Sequence, residues 1–308
     1  MTKVFIDGSA GTTGLRIRQR LAGRRDLTLI TLPEELRKDE SARAWAINSA
    51  DVVFLCLPDE AARQAAALAK DGPVIIDTST AHRTSEGWAY GFPELPGRRE
   101  AIKSSGRIAN PGCHASGFIA LVAPLAEAGL LDRSALLTCF SLTGYSGGGK
   151  KMIAQYEADE LPHELSSPRQ YGLSQKHKHL PEMQKQCRLD YAPVFCPIVA
   201  NFYSGMEVTV SLFPSMLKGT LEEVRQCYRD LYRGPVVKYA QPELDMLSAN
   251  LMEGRDDMIV TALGNEDRII LTSLFDNLGK GASGAAIQNM NIVLGLDETE
   301  GLNIKETL

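Results

Sequence analysis

The first 110 residues alternate between short apolar runs and helix-like segments, and that alternation limits the fold more than any other feature. "KVFID" (3–7), "LTLITL" (27–32), "DVVFLCLP" (51–58), "PVIIDTS" (73–79) and "GRIAN" (106–110) read as strands. Helical segments lie between them at 13–22, 41–50 and 59–72, the last opening on acidic residues and closing at Gly72. A run as apolar as 51–58 suits a strand covered on both faces. Strands that alternate with helices imply a parallel sheet with right-handed crossovers.

Beyond residue 112 the pattern changes. "HASGFIALVAPLAEAG" extends a helix from Cys113 to about residue 128, with Pro124 placed to kink it. "ALLTCFSLTGYSGGGK" (135–150) runs from a strand into a glycine loop, and 205–213 and 258–275 supply alternating strand patterns around a "GNED" turn. These segments predict a mainly antiparallel second sheet. A helix over 220–234 carries Thr220 as its N-cap, Glu223 three residues on, and Gly234 as its stop. The small-residue run 279–296 reads as a closely packed last helix. A chain of 308 residues accommodates two such domains.

The turn after the first strand has Gly8, Gly11 and Gly14 at a spacing of three. Glycines there let the backbone turn tightly and let a pyrophosphate approach the start of a helix, where free N–H groups favour anions. Ser9, Thr12 and Thr13 lie in the same loop, and the two threonines add hydroxyl donors. The spacing GxxGxxG departs from the usual dinucleotide fingerprint, so its place between strand and helix carries the reading. No acid closes the second strand, and Arg16, Arg18, Arg24 and Arg25 lie nearby, which leans towards NADP(H) over NAD.

Cys113 follows Asn110-Pro111-Gly112 directly and opens the long apolar helix. Helix-start amides and the dipole stabilise a thiolate, which makes this cysteine a nucleophile candidate. The other five cysteines form no CxxC and read as reduced, buried side chains. A proton-transfer partner is needed, and the histidines are His82, His114, His163, His177 and His179. His114 adjoins the thiol, but neighbouring helical residues point in different directions. His177 and His179, in "QKHKHLPEM", suit an acid/base or anion-binding role; two histidines alone are too few for zinc, so no metal is expected. Arg83, in the loop after the fourth strand, suits either a bidentate grip on a phosphate or carboxylate or an ion pair with Glu86 or Glu94.

A net charge of −5 argues against a nucleic-acid partner. No apolar run reaches the roughly 18 residues needed to span a bilayer, and the N-terminus lacks a signal-peptide core. A cytoplasmic protein is expected, with no membrane partner.

"GSAGTTGLRI", "IIDTSTAHR…YGFPEL", "ANPGCHASG", "TGYSGGGK", "HKHLPEM" and "DNLGKGASGAAIQNMNIVLG" together resemble the N-acetyl-gamma-glutamyl-phosphate reductase family in its shorter form, nearly end to end. The resemblance implies the fold shared with aspartate-semialdehyde and glyceraldehyde-3-phosphate dehydrogenases. That fold is an α/β architecture with a nucleotide-binding Rossmann domain (1–112 and 280–308) and an α/β catalytic and oligomerisation domain (113–279). It further implies NADPH-dependent reduction of an acyl phosphate in arginine biosynthesis, with a homo-oligomer, dimer or tetramer, expected. Carried over by position, Cys113 is the nucleophile and His177 the acid/base. His179, Arg83 and Asn110 lie on the substrate side, with Arg83 on the phosphate. Gly8, Ser9, Gly11, Thr12, Thr13, Gly14, Gly147, Gly148 and Asn277 hold the cofactor. A sister acyl-phosphate reductase, a cysteine-dependent acyl hydrolase and a non-catalytic NADP-sensing regulator are the competing readings.

Overall fold

A computed structural model describes residues 1–70 and 72–306. The chain divides into two compact units, Met1–Gly112 with Ala282–Leu302, and Cys113–Gly281 with Asn303–Leu308.

The first unit is built on a six-stranded parallel sheet: β1 (Thr2–Asp7), β2 (Leu27–Ile30), β3 (Val52–Leu55), β4 (Val74–Asp77), β5 (Ala89–Tyr90) and β6 (Arg107–Ala109). The order is β2-β1-β3-β4-β6-β5 with every pair parallel. Strand order reverses between β1 and β3, the position where open α/β sheets bind ligands. Helices α1 (Thr12–Leu21), α2 (Glu40–Ser49), α3 (Asp59–Leu68) and α4 (Arg98–Ser104) complete it, together with the last helix of the chain, Gly284–Val293. Two apolar clusters fill the two faces. One holds Ile17, Leu21, Ile102, Ile287 and Met290, the other Ala46, Ile47, Ala62 and Ala65. Phe54 and Val53 point to opposite clusters, which is why this strand is apolar throughout.

Helix α3 ends at Leu68, earlier than Gly72, because the Asn48 side chain takes its end. The Asn48 amide donates to Leu68 O and accepts from the Lys70 N–H. Position 71 lies outside the described residues. The run expected as one helix over 279–296 begins instead as a π-helical turn, Gly279–Ser283, and only then becomes α-helical.

The second unit is a seven-stranded sheet with helices α5 (Cys113–Glu127), α6 (Gly149–Tyr156), α7 (Leu180–Cys187) and α8 (Leu221–Leu231). Its strands are β7 (Thr138–Gly144), β8 (Arg169–Gln170), β9 (Val194–Ala200), β10 (Met206–Leu212), β11 (Val237–Tyr239), β12 (Met258–Gly264) and β13 (Ile269–Phe275). The order is β11-β12-β13-β10-β7-β9-β8, with β11/β12 and β7/β9 parallel and the other pairs antiparallel. The sheet is therefore mixed, though mainly antiparallel.

Helix α5 is buried from His114 to Ala126. At Gly117 an added Cβ would lie 2.5 Å from Val208 and 2.7 Å from Ser273, so only glycine lets the helix approach the sheet this closely. Pro124 cannot donate to Ala120 O. The Tyr232 hydroxyl fills that place at 2.6 Å, and the Tyr228 hydroxyl donates to Leu121 O at 2.5 Å. Two tyrosines at the end of α8 thus satisfy the buried carbonyls beside the proline and fix α8 on α5. The start of α8 carries the expected capping box between Thr220 and Glu223.

Candidate active site

Strand β1 delivers the chain to Gly8 at φ +88°, a conformation that favours glycine. A Cβ there would sit 2.3 Å from Cys56 O, and one on Gly14 would sit 2.4 Å from Gly8 O. The loop thus packs tightly on the end of β3 and on the first turn of α1. Gly11 is the N-cap of α1 and no acid occupies its first turn, where Thr12 and Thr13 lie, so the dipole end is available to an anion. Beside it opens a cavity of about 230 Å³ lined by Gly8, Ser9, Ala10, Arg18, Thr31 and Arg37, among others. The acid of that lining, Asp7, is held by Arg43 at 2.8 Å. A cradle of this kind, with two guanidinium groups in its lining, suits the phosphate-bearing end of a nucleotide.

In the second unit Cys113 is the first residue of α5. Gly281 lies against it, since a Cβ on Gly281 would be 3.0 Å from the Cys113 Cβ and 3.1 Å from Asp276 O. Asp276 holds that turn in place. Its carboxylate accepts from Ser204 Oγ, Gly254 N and Leu278 N, and its carbonyl accepts from Gly279 N and Gly281 N. The neighbouring Asn277 accepts from Gly205 N and donates to Ser146 Oγ, bracing the turn that contains Gly147 and Gly148.

Three histidines converge. The His114 ring lies 5.7 Å from that of His177 and 5.6 Å from that of His179, and His177 and His179 are 4.8 Å apart. His114 bridges Ser141 Oγ and the Tyr171 hydroxyl, each at 2.6 Å. Burial, then the charges of His177 and Lys178, push its pKa down to about 3, so it is neutral. Burial likewise lowers His177 to about 4, helped by Lys178. The His179 N–H donates to His177 Nδ1 at 3.2 Å, which leaves the proton of the neutral His177 ring on Nε2. Burial raises the Tyr171 hydroxyl, and the electrostatic influence of Cys113 adds to the shift. Desolvation, by contrast, pushes the half-buried Cys56 thiol up to about 12, which leaves it inert.

The second unit brings His177 and His179 together around His114, the residue after Cys113, and it also carries Gly147, Gly148 and Asn277. The glycine loop, Arg83 and Asn110 belong to the first unit. Arg83 donates to Asn110 O at 2.9 Å and Thr78 O at 3.0 Å, and Glu94 pairs with Gln288. The Asn110 amide donates to Ala282 O and accepts from Asn289. Of the basic residues near the loop, Arg24 is tied to Asp26 and Asn291, and Arg18 is joined in the cavity lining by Arg37. Sequence reasoning missed Tyr171, Ser141 and Arg37, and left His114 aside. The thiol's immediate neighbour is a member of the cluster because its ring reaches Ser141 on β7 and Tyr171 just after β8.

A parallel sheet with a glycine loop at its switch point, and a second, mixed sheet whose first helix opens on a thiol beside a histidine cluster, are the architecture of the semialdehyde dehydrogenase class of oxidoreductases. Residues 3–105 match the family described as "Semialdehyde dehydrogenase, NAD binding domain", and residues 113–277 match "Semialdehyde dehydrogenase, dimerisation domain". The fold is that of aspartate semialdehyde dehydrogenase II from Vibrio cholerae, with a TM-score of 0.73 at 16% identity over 96% of this chain and 98% of that one. The Candida albicans aspartate semialdehyde dehydrogenase solved with NADP gives 0.67 at 16% identity, over 96% and 99%. N-acetyl-gamma-glutamyl-phosphate reductases of Brucella anthropi and Brucella ovis are each 46% identical over 306 residues, 95% of this chain and 98% and 99% of theirs. The chain belongs to the N-acetyl-gamma-glutamyl-phosphate reductase family, as the segments around Cys113 and His177 imply.

Proposed function

We propose that this chain reduces N-acetyl-γ-glutamyl phosphate to N-acetyl-L-glutamate 5-semialdehyde and phosphate with NADPH, through a thioester on Cys113, as a step of arginine biosynthesis. The observation that carries the reading is a thiol at the first residue of α5 in the same unit as a histidine whose proton sits on Nε2. The Cys113 sulfur bonds to the acyl carbon as the acyl–oxygen bond breaks. The departing phosphate takes the proton that the Cys113 thiol gives up, while His177 Nε2–H donates a hydrogen bond and keeps its own proton. The reduced nicotinamide, when bound, supplies a hydride to the thioester carbon. The carbon–sulfur bond then breaks, releasing aldehyde and a thiolate that takes up a proton from solvent, while Nε2–H and the positive end of the α5 dipole stabilise the oxygen that carries charge.

Gly8, Ser9, Gly11, Thr12, Thr13 and Gly14 are assigned to the cofactor pyrophosphate, and Gly147 and Gly148 also to the cofactor. Asn277 shapes their turn through both ends of its amide. Arg83 is assigned to the substrate phosphate, its guanidinium steadied by two carbonyls, and His179 to the substrate. Asn110 acts by holding the turn before Cys113. NADP is assigned over NAD because Arg18 and Arg37 line the cavity by Thr31, and its acid is occupied by Arg43. The test is phosphate-dependent nicotinamide reduction with N-acetylglutamate semialdehyde, run with NADP and NAD. Arg37→Ala should lower kcat/KM for NADP by about 10- to 100-fold, the worth of one charge-assisted hydrogen bond, and leave NAD nearly unchanged. Equal rates with both nucleotides in the unaltered chain reject the NADP assignment. Aspartate semialdehyde as the better substrate would favour a sister enzyme.

Among the described residues no helix is long and apolar enough to cross a membrane, in keeping with the cytoplasmic location assigned here. A homo-oligomer is assigned as well. Phe140, Val194 and Ile270 are large apolar side chains exposed on the second unit's sheet, and the matching family is described as a dimerisation domain. Sedimentation equilibrium at micromolar concentration should give at least a dimer mass, and a monomer would reject it.

A further inference from the structure

Strand β8 pairs with β9 at only two positions, Arg169 with Val199 and Gln170 with Ile198. The Tyr171 N–H then reaches Pro197 O at 3.0 Å, and Gly172, at φ +65°, turns the chain away. On the other edge of β9 the Val194 N–H donates to Leu137 O, so the next residue, Phe195, faces the edge that β8 has just left. The polar groups of Phe195 on that edge are met by a side chain. Gln175 Oε1 accepts from Phe195 N at 2.9 Å, and Gln175 Nε2 donates to Phe195 O at 2.7 Å. A primary amide carries one acceptor and donors beside it, as a strand's peptide group does, so Gln175 continues the ladder with its side chain. Its backbone adopts φ +54°, which residues other than glycine rarely do, and its N–H donates to Gly172 O at 3.0 Å.

This clamp stands two residues before His177. The Phe195 whose backbone it grips also packs its ring edge-on against His114 at 5.3 Å and His177 at 5.0 Å. We propose that Gln175 is a positioning residue for the catalytic histidine. By pairing with the Phe195 backbone it fixes the 172–179 loop on β9 and sets the ring of His177 against Phe195, His114 and Tyr171. The proposal deepens the reductase reading and rests on it.

Gln175→Asn isolates the clamp. Asparagine tolerates the left-handed backbone better than most residues, while its amide is one methylene short of Phe195. Gln175 is exposed, so the variant folds. In the phosphate-dependent assay the variant's kcat should fall about tenfold, with KM for NADP changed less than twofold. A looser loop admits water to His177. The acid limb of its kcat/KM profile should therefore move up from near pH 4 towards 6.5, since burial is what lowers it. The groups facing that ring, Tyr171, His114 and His179, and the adjacent Lys178, are unchanged in the variant. Independently of substrate, amide hydrogen exchange across 172–180 should speed up at least tenfold while 1–70 stays as it was. Unchanged exchange overturns the clamp. A fall in kcat with an unmoved acid limb overturns the link to His177. No turnover by the unaltered chain defeats the reductase reading, and the exchange measurement still judges the clamp.

Discussion

Cys113→Ser should abolish turnover, by at least about 10⁴-fold, while the dissociation constant for NADPH stays within about twofold of its original value. A serine hydroxyl in the same place is far less ionised than a thiol and a poorer nucleophile towards an acyl carbon. It also makes an ester, which accepts hydride less readily than a thioester and releases its alkoxide less readily than a thiolate leaves. A 10⁴-fold loss is about 5 kcal/mol of transition-state stabilisation, within reach of removing the group that forms the covalent bond. The substitution itself is mild. Oxygen is smaller than sulfur, and the close approach of Gly281 is to the Cys113 Cβ, which serine keeps. Nucleotide titration should therefore show the binding loop, built on Gly8, Gly11 and Gly14 of the first unit, working as before. Mass spectrometry of the unaltered chain mixed with acyl phosphate, without nucleotide, should show an acyl group on Cys113 and none in the variant. Turnover within tenfold of the original would remove the thioester from the account. Intact nucleotide binding with no turnover in either chain would instead favour a nucleotide-sensing role.

The features that were legible in the sequence are those fixed by local physics. The strands of the first unit announce themselves because burial on both faces demands continuous apolar runs, as in Val52–Leu55. The thiol stands out because Pro111 and Gly112 force a turn and the apolar run starts at once, so Cys113 must open α5. Thr220 and Glu223 sit three apart and form the box that this spacing implies. What stayed hidden is what long-range packing decides. Tyr171 meets His114 across 57 positions, and Ser141 meets it across 27. Nothing local to any of the three marks the others. Gln175 is a polar residue in a polar loop until the sheet edge that it completes is known. Arg37 comes to the cavity from the end of a 3₁₀ turn after Pro33, well outside the basic stretch 16–25 that borders the glycine loop in sequence. The run Gln288-Asn289-Met290-Asn291 signalled the family, yet its amides serve the scaffold. Gln288 binds Glu94 and Glu298, Asn289 binds Gly91 O and Asn110, and Asn291 binds the carbonyls of Glu298 and Glu300. The pair Asn289–Asn110 braces the segment just before Pro111 and Gly112 within the first unit.

Gly8→Ala should remove nucleotide binding and destabilise the first unit, whereas Gly11→Ala should weaken binding and leave stability nearly intact. The two glycines share a loop but not a physical role. At Gly8 the backbone is at φ +88°, where an L side chain costs about 1–2 kcal/mol. The new Cβ would also stand 2.3 Å from Cys56 O and 2.8 Å from its carbonyl carbon. These are backbone atoms next to β3 and cannot swing aside, so the turn must move, at a cost of about 1–3 kcal/mol more. A shift of the Gly8 peptide also disturbs Gly14, which packs on Gly8 O, and with it the first turn of α1. At Gly11 φ is −74° and the nearest atom to an added Cβ is Gly8 O at 3.5 Å, an ordinary contact. Alanine is accommodated there, but its methyl group projects at the N-cap of α1, where a pyrophosphate must come close. Thermal midpoints and NADPH titrations on both variants separate the effects. The expected pattern is a midpoint lowered by several degrees with no measurable binding for Gly8→Ala. Gly11→Ala should keep its midpoint within a degree or two and bind about tenfold or more weakly. Normal NADPH affinity in Gly8→Ala would mean that this loop is a structural turn and that the dinucleotide is held elsewhere.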